Sequence, residues 1–137
     1  MMDWKECFNK IIVKDVKPDL YLIRSLIKSS NNKLESEKRL SMNEITAGSK
    51  LTLAYDSLRE VLEALAIKNG YKVYNHECYT AFLKEIMNES SKADEFDEIR
   101  KVRNAVNYYG KEISTEETAE IIGKIRHLRT FVLKLIK

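Results

Sequence analysis

The chain has 137 residues, of which 44% are hydrophobic and 33% are charged, a composition that fits one folded domain and excludes a disordered segment. One proline and four glycines are too few for the many turns of a β-sandwich or barrel, which favours long helices with short connections. The net charge of +3 does not by itself indicate a nucleic-acid partner, because a local basic patch matters more than the total.

The cysteine and hydropathy patterns predict a cytoplasmic protein with reduced thiols. Cys7 and Cys78 lie far apart and no Cys-x-x-C pair is present, so no disulfide framework is expected and Cys78 is interpreted as a small apolar residue. No stretch approaches the apolar length of a membrane span, and no basic segment followed by an apolar run begins the chain. We therefore expect no membrane partner.

The start of the chain is predicted to hold two helices. Four apolar residues recur at helical spacing: Trp4, Phe8, Ile11 and Ile12. Pro18 is expected in the first turn of the second helix, where its missing N–H costs nothing. Residues 28–45 are polar but rich in helix formers, and the pattern leaves open whether they continue this helix or form an exposed connection.

The strongest helical pattern covers residues 47–71. Its apolar side chains repeat at three and four: Leu51, Ala54, Tyr55, Leu58, Leu62 and Leu65. Gly70 is placed to end this helix in a left-handed conformation, and Asn75 is a candidate N-cap for the next one. A further helix is predicted to close on Gly110, and Ser114 with Glu117 forms a capping box for the last.

These elements predict an all-α fold without strands, an antiparallel up-and-down bundle of five or six helices. Residues 1–137 are expected to form a single domain, in which the helices of residues 1–44 pack on a core of about residues 45–137.

The stretch RKVRNAVNYYGKEIS, residues 100–114, holds the candidate site. On a helix, one apolar stripe is predicted: Phe96, Ile99, Val102, Val106 and Tyr109. Arg100, Arg103 and Asn107 follow its rim, while Asn104 is expected to point further away. Two interpretations stay open: a boundary arginine that pairs with a nearby carboxylate, or an anion site in which two arginines reach a phosphate beside an amide and a phenol.

The order of the segments LAYDSLREVLEALAIKNGY, NHECYTAFLKEI, RNAVNYYG and TAEIIGKIRHLRTFVLKLI resembles the HEPN (higher eukaryotes and prokaryotes nucleotide-binding) family over about residues 45–137. The resemblance implies a four- or five-helix bundle that is often a homodimer. Catalytic members are metal-independent endoribonucleases, commonly toxins paired with a small nucleotidyltransferase antitoxin. In several members an acidic residue orients the arginine, a role that Glu63 or Asp56 would take here.

The family's catalytic pattern is an arginine, then four to six residues, then a histidine. Arg103 matches the arginine and Asn104 the polar residue that often follows it, but Asn107, Tyr108 and Tyr109 stand where the histidine is expected. RNA cleavage needs a proton acceptor that works near neutral pH, and a phenol with a pKa near 10 is a poor one. The pattern is closer to the branch with an Asn-Tyr ending, for which binding or assembly is expected more than cleavage.

The remaining histidines and cysteines suggest no metal centre. His76 is interpreted as a first-turn residue near the surface, with a replacement catalytic base as the alternative, and His127 is expected to face solvent or a partner. A zinc site built from His76, His127 and the two cysteines lacks close-spaced ligand pairs. We expect no metal and no cofactor.

Three functions follow from these features. The first is a non-catalytic HEPN-like module, a homodimer that binds RNA, a nucleotide or a nucleotidyltransferase partner in a toxin–antitoxin or defence context. Its ligand-binding residues are expected to be Arg100, Arg103, Asn104, Asn107 and Tyr108. The second is a metal-independent endoribonuclease that uses Arg103, with Asn104 and Tyr108 as weaker catalytic candidates. The third is a plain dimeric interaction scaffold, since fold analogy does not fix function.

Overall fold

A computed structural model describes residues 2–137 and confirms the all-α helical bundle. Its elements are α1 (Trp4–Asn9), β1 (Val13–Asp15), α2 (Leu20–Arg39), α3 (Ala47–Lys68), β2 (Tyr71–Val73), α4 (Glu77–Ala81), a π-helical turn (Phe82–Ile86), α5 (Ser90–Tyr108) and α6 (Thr115–Ile136). Within the described residues, these are six α-helices and one two-stranded sheet.

The helix α3 is the centre of the bundle, because apolar side chains surround it instead of forming one stripe. α2 and α6 pack along it, and α5 crosses it. All six side chains of the predicted apolar repeat are fully buried: Leu51, Ala54, Tyr55, Leu58, Leu62 and Leu65. Each buried leucine contributes roughly 2 kcal/mol of transfer free energy, so this helix holds α2, α5, α6 and β2 in place.

The prediction of the first helix is wrong for its second half. α1 ends at Asn9, Ile11 takes a positive φ of 58°, and the chain then forms β1, which pairs antiparallel with β2. Val13 lies opposite Val73, and both are buried. The prediction of no strands is corrected by this small sheet. Its two strands have three residues each and are distant in sequence, so neither leaves a clear periodic pattern.

α2 begins later and runs further than the sequence suggested. Pro18 precedes the helix instead of lying in its first turn, and the carboxylate of Asp19 caps it by accepting the Leu22 N–H at 3.1 Å. The open question about residues 28–45 is answered as far as Arg39, where the helix ends. The continuation is helical because Leu34 and Glu37 bury against the rest of the bundle.

The other predicted helix ends agree with the structure, with one shift. Gly70 and Gly110 have positive φ angles of 90° and 64°, and Ser114 Oγ accepts the Glu117 N–H at 3.0 Å. The N-cap position of α4 is His76 instead of Asn75. The Asn75 side chain still accepts the Glu77 N–H at 2.8 Å, so it performs the capping from one residue earlier.

The two cysteines are paired, which corrects the expectation of reduced thiols. Cys7 of α1 and Cys78 of α4 form a disulfide, with Cα atoms 6.1 Å apart and both side chains fully buried. No local pattern signals this pair, because α1 and α4 are far apart in the chain and meet only in the folded structure. Trp4 contributes to the same contact, since its ring lies 5.8 Å from that of Phe82.

Of the helices in residues 2–137, none combines the length and apolar character that crossing a membrane requires.

Candidate functional site

The candidate site forms where α5 crosses one side of α3. Tyr55 and Arg59 lie four residues apart on α3, so they occupy the same face of that helix. The last two turns of α5 bring Arg103 and Tyr108 to this face, and the loop after β2 brings His76. The three segments meet near one end of the bundle.

The guanidinium of Arg103 lies between two tyrosine rings. Its Cζ is 4.8 Å from the centre of the Tyr55 ring and 5.1 Å from that of Tyr108. Nη1 donates a hydrogen bond to the Tyr108 hydroxyl at 2.9 Å, and the Asn104 carboxamide oxygen lies 3.5 Å from the same atom. Cation–π contacts of this kind hold a guanidinium in position without neutralising its charge.

Arg103 has no carboxylate partner among residues 2–137, where every ion pair involves other side chains. Its Nε is buried and donates no hydrogen bond. The side chain as a whole is half-buried, so its Nη groups border solvent. A positive charge with unused donors at a solvent boundary is the chemistry that recognises an oxyanion.

His76 occupies the N-cap position of α4 near the surface, in line with its interpretation as a helix-start residue, but its ring is half-buried and paired with Tyr55. The Tyr55 hydroxyl lies 3.0 Å from His76 Nδ1. The pKa of His76 is lowered to about 4, first by burial of the ring and then by the charges of Arg59 and Arg103. Burial also raises the pKa of Tyr55 above its usual value. The pair is therefore neutral at neutral pH.

Arg100 is committed to an internal carboxylate. Its Nη2 and Nε lie 2.8 and 3.2 Å from Asp97 Oδ1, and Lys101 Nζ lies 3.1 Å from Oδ2. Burial alone would raise the pKa of Asp97, but the hydrogen bonds and charges of these two cations lower it below its usual value. The structure therefore does not bring two unpaired arginines together: of Arg100 and Arg103, only Arg103 is left without a carboxylate within residues 2–137.

The other predicted site residues surround Arg103 unequally. Asn104 is half-buried beside the guanidinium instead of pointing away from it. Asn107 is exposed, and its Nδ2 lies 3.4 Å from the Thr52 hydroxyl of α3. Tyr109 is 82% exposed, so its assignment to the apolar stripe was wrong. The stripe ends earlier because α5 reaches beyond the core in its last turn.

Neither acidic residue expected to orient Arg103 does so. Glu63 accepts Arg59 Nη1 at 3.2 Å and Lys72 Nζ at 2.8 Å, while Asp56 makes no ion pair within residues 2–137. The two tyrosine rings position Arg103 instead. Tyr55 was assigned to the core by its spacing, and only the crossing of α5 over α3 shows that its ring also faces an arginine.

The structure offers no grouping for a metal in the part of the chain that it describes. His127 is exposed on α6, as predicted, beside Glu95 and Glu98. The two cysteines are held in the disulfide. No three His, Cys, Asp or Glu side chains of residues 2–137 lie close enough together to hold an ion.

Comparisons with models of known families, with curated proteins and with solved structures gave no match to this chain. The resemblance to the HEPN family therefore stays a prediction, and the argument for function depends on the chemistry of the Arg103 site.

Proposed function

We propose that this chain is a HEPN-like helical module that binds a phosphate-bearing ligand, RNA or a nucleotide, at Arg103 without cleaving it. The observation that supports this most directly is the half-buried guanidinium, which two tyrosine rings hold and which no carboxylate neutralises. A charge in such a position is costly unless a ligand or a partner supplies the opposite sign.

The surroundings of Arg103 fit a nucleotide better than a bare anion. Tyr108 is 66% exposed, so one surface of its ring is available for a base to stack on. The carboxamide of Asn104 lies beside the guanidinium and provides a donor and an acceptor for a sugar or base edge. Phosphate on Arg103 and a base on Tyr108 would together satisfy both side chains.

The absence of cleavage is proposed because the nearby imidazole is poorly suited to be a base. With a pKa of about 4, His76 is neutral at neutral pH but binds a proton weakly, and its Nδ1 is already paired with Tyr55. General-base catalysis works best with a group whose pKa lies near the working pH. The endoribonuclease remains the alternative that the experiment must exclude.

A homodimer remains part of the proposal. Beside Asn107, the surface between α3 and α5 carries exposed apolar side chains, among them Ile45 at 91% exposure and Tyr108. A two-fold contact there would place two copies of Arg103 near one another and double the local positive charge. Sedimentation that finds only monomer would remove this part of the proposal and leave the Arg103 site unaffected.

The test is binding of labelled single-stranded RNA, followed by fluorescence anisotropy. Arg103→Ala is expected to weaken binding by about tenfold or more, because a charge-assisted contact to phosphate contributes about 1.5–3 kcal/mol. The matched control is Arg24→Ala, which removes an exposed arginine from α2 and should change the affinity less than about twofold. Affinity should also fall as salt increases.

The same samples, run on a denaturing gel with and without chelator, test the alternative. The proposal predicts intact RNA in both lanes. RNA that is cut in the presence of chelator by the wild type, and not by Arg103→Ala, would establish the endoribonuclease instead. Equal affinities of wild type and Arg103→Ala would contradict the proposed binding site.

A further inference from the structure

A second basic and aromatic cluster lies on the small sheet, and the function proposed above does not use it. This lysine–tyrosine cluster consists of Lys14 on β1, Lys72 on β2 and Tyr74 just after β2. The two ammonium groups lie 5.7 and 6.0 Å from the centre of the Tyr74 ring, which is 56% exposed. A large exposed ring between two cations is a feature that needs explanation.

The arrangement of the lysines opposes stability of the sheet. Lys14 and Lys72 are direct partners in the antiparallel register, and like charges in that position repel each other. Lys72 is compensated by Glu63 at 2.8 Å, whereas Lys14 is exposed and has no ion-pair partner among residues 2–137. The repulsion and the open charge both favour binding of an anion at this place.

The cluster is joined to the Arg103 site by one face of α3. At intervals of three or four residues this face carries Thr52, Tyr55, Arg59 and Glu63. The first contacts Asn107, the second contacts Arg103 and His76, and the last contacts both Arg59 and Lys72. From Thr52 to Glu63 the helix rises about 16 Å at 1.5 Å per residue.

We infer that the ligand is a single-stranded RNA oligonucleotide that runs past Arg59 and outside the fully buried Tyr55, with one base on Tyr108 and another on Tyr74. The inference depends on the proposed function, because Arg103 holds one end of the strand. Phosphates would contact Arg103 at that end and Lys14 and Lys72 at the other. At roughly 3.4 Å per stacked nucleotide, the 16 Å face accommodates about five nucleotides.

The charges along this face support a strand more than a single nucleotide. Basic side chains outnumber carboxylates along this path. The carboxylates are Glu63 and Asp56, and the basic side chains are Arg103, Arg59, Lys72 and Lys14. Glu63 lies between Arg59 and Lys72 and keeps both side chains oriented. The excess positive charge is therefore divided between the two ends, which are too far apart for one phosphate to reach both.

The first experiment measures affinity against length. Uridine monophosphate and oligouridylates of about two, four, five and eight nucleotides are compared by how well each displaces the labelled octamer from the protein. Affinity is expected to rise with each added nucleotide up to about five and to change little beyond. An affinity that is already complete at one or two nucleotides would overturn the inference.

The second experiment separates the two ends. Tyr74→Ala is expected to lower the affinity for the octamer by about fivefold or more, the effect of losing one stacked base. The affinity for uridine monophosphate should stay unchanged. Lys14→Ala should weaken the octamer by a smaller factor and reduce its salt dependence. Tyr21→Ala and Lys28→Ala remove exposed side chains of α2 and serve as matched controls.

Two outcomes distinguish failure of this inference from failure of the proposed function. If Arg103→Ala weakens all lengths while Tyr74→Ala weakens none, the Arg103 site stands and the extended path is wrong. If neither the octamer nor the mononucleotide binds, both are wrong. Inorganic polyphosphate of similar charge is the third arm, and equal affinity for it would overturn the role given to the tyrosines.

Discussion

Two regions of this bundle hold arginines without using them in the same way. In the contact of α2 with α3 and α6, hereafter the α2 seam, Glu37 is 1% exposed and lies 3.1 Å from Lys50 Nζ and 2.6 Å from Arg126 Nη2. At the crossing of α3 and α5, Arg103 is half-buried against aromatic rings and meets no carboxylate. The seam closes its charges internally, and the crossing leaves one open.

Arg129 makes the comparison stricter, because it too lacks a carboxylate. Its Nε donates to Ser30 Oγ at 2.9 Å and its Nη2 donates to the Asn31 carboxamide, and burial lowers its pKa. With 7% exposure it has no open side for a ligand. Lack of a carboxylate therefore does not identify a binding arginine. Arg103 differs from Arg129 because it is partly exposed, and it differs from Arg126 because no carboxylate within residues 2–137 pairs with it.

The largest expected effect comes from a substitution that disrupts the α2 seam and leaves the Arg103 site intact. Glu37→Gln removes the one carboxylate within residues 2–137 that pairs with both Lys50 and Arg126. It should therefore lower the free energy of unfolding by about 3–5 kcal/mol, as expected when a buried charge, here that of Lys50, loses its ion-pair partner. Urea unfolding measures this change. In the folded variant, RNA affinity should match the wild type.

The control is Glu35→Gln, which breaks a solvent-exposed ion pair with Arg39, one turn further along α2. Exposed pairs of this spacing contribute about 0.5 kcal/mol or less. If Glu37→Gln lowers the free energy of unfolding no more than this control does, the α2 seam does not depend on its buried charges. The proposed contrast between the seam and Arg103 would then be wrong.

A second prediction concerns the disulfide, which fastens α1 to α4 behind the Arg103 site. Replacing Cys7 and Cys78 by serine should lower the free energy of unfolding by about 2–4 kcal/mol, because a bond that closes so long a loop restricts the unfolded chain. RNA affinity should change less than about twofold, since neither sulfur touches Arg103. Alkylation followed by mass measurement, with and without reductant, verifies the bond.

If both cysteines react without reductant, the pair is a thiol pair and the original expectation of reduced thiols in a cytoplasmic protein is correct after all. Loss of RNA binding in the serine variant would show that α4, through His76, transmits the state of the disulfide to the site. The stable region and the binding region would then not be independent.

The predictable part of this molecule was the part set by local periodicity. The pattern of leucines identified α3, and the positions of Gly70 and Ser114 identified helix ends, because each depends on neighbours within a turn. The sheet and the disulfide depend on contacts between distant segments. No short-range pattern distinguishes Val13 in a strand from the same residue continuing a helix.

The candidate site shows the same limit. Arg103 was named because it matches the family's arginine, and Tyr108 because it stands where the family's histidine is expected; the structure joins the two by a hydrogen bond. Tyr55 and His76 come from other elements, and their spacing suggested core and surface, respectively. Arg100 was expected to join the site, but Asp97, one turn earlier on the same helix, binds it. For Arg100, the interpretation as a boundary arginine that pairs with a nearby carboxylate is therefore the correct one.

A third prediction uses pH to examine the site without a ligand. Between about pH 6.5 and 4 the unfolded chain protonates its histidine at position 76 and the folded chain does not, so stability falls as the pH falls through this window. After allowance for partial exposure of the ring, the loss is about 1–2 kcal/mol. His76→Gln keeps an acceptor for Tyr55 and should remove this component, which urea unfolding at several pH values measures.

The contribution of Asp97 falls in a separate window. Its lowered pKa adds stability that is lost only as the pH drops below about 3.8. The difference between wild type and His76→Gln above pH 4 therefore reports the imidazole. An unchanged pH profile in the variant would mean that the ring is not held neutral, and the argument against general-base cleavage would weaken.

The smallest expected effect lies at Ile11, which takes a left-handed φ of 58° directly after α1 and is 80% exposed. Relief of that strain by Ile11→Gly is worth about 1–2 kcal/mol, and the greater freedom of glycine in the unfolded chain removes part of it. A net gain of about 0.5–1 kcal/mol in unfolding free energy is expected, measured beside Gly70→Ala, which puts a Cβ at φ 90° and should be destabilising. Because Ile11 is only three residues from Lys14, the same variant should then be tried with the RNA octamer. If the variant is more stable and its RNA affinity is unchanged, Ile11 only strains the local backbone. If it is more stable but binds RNA more weakly, the Ile11 side chain is part of the binding surface.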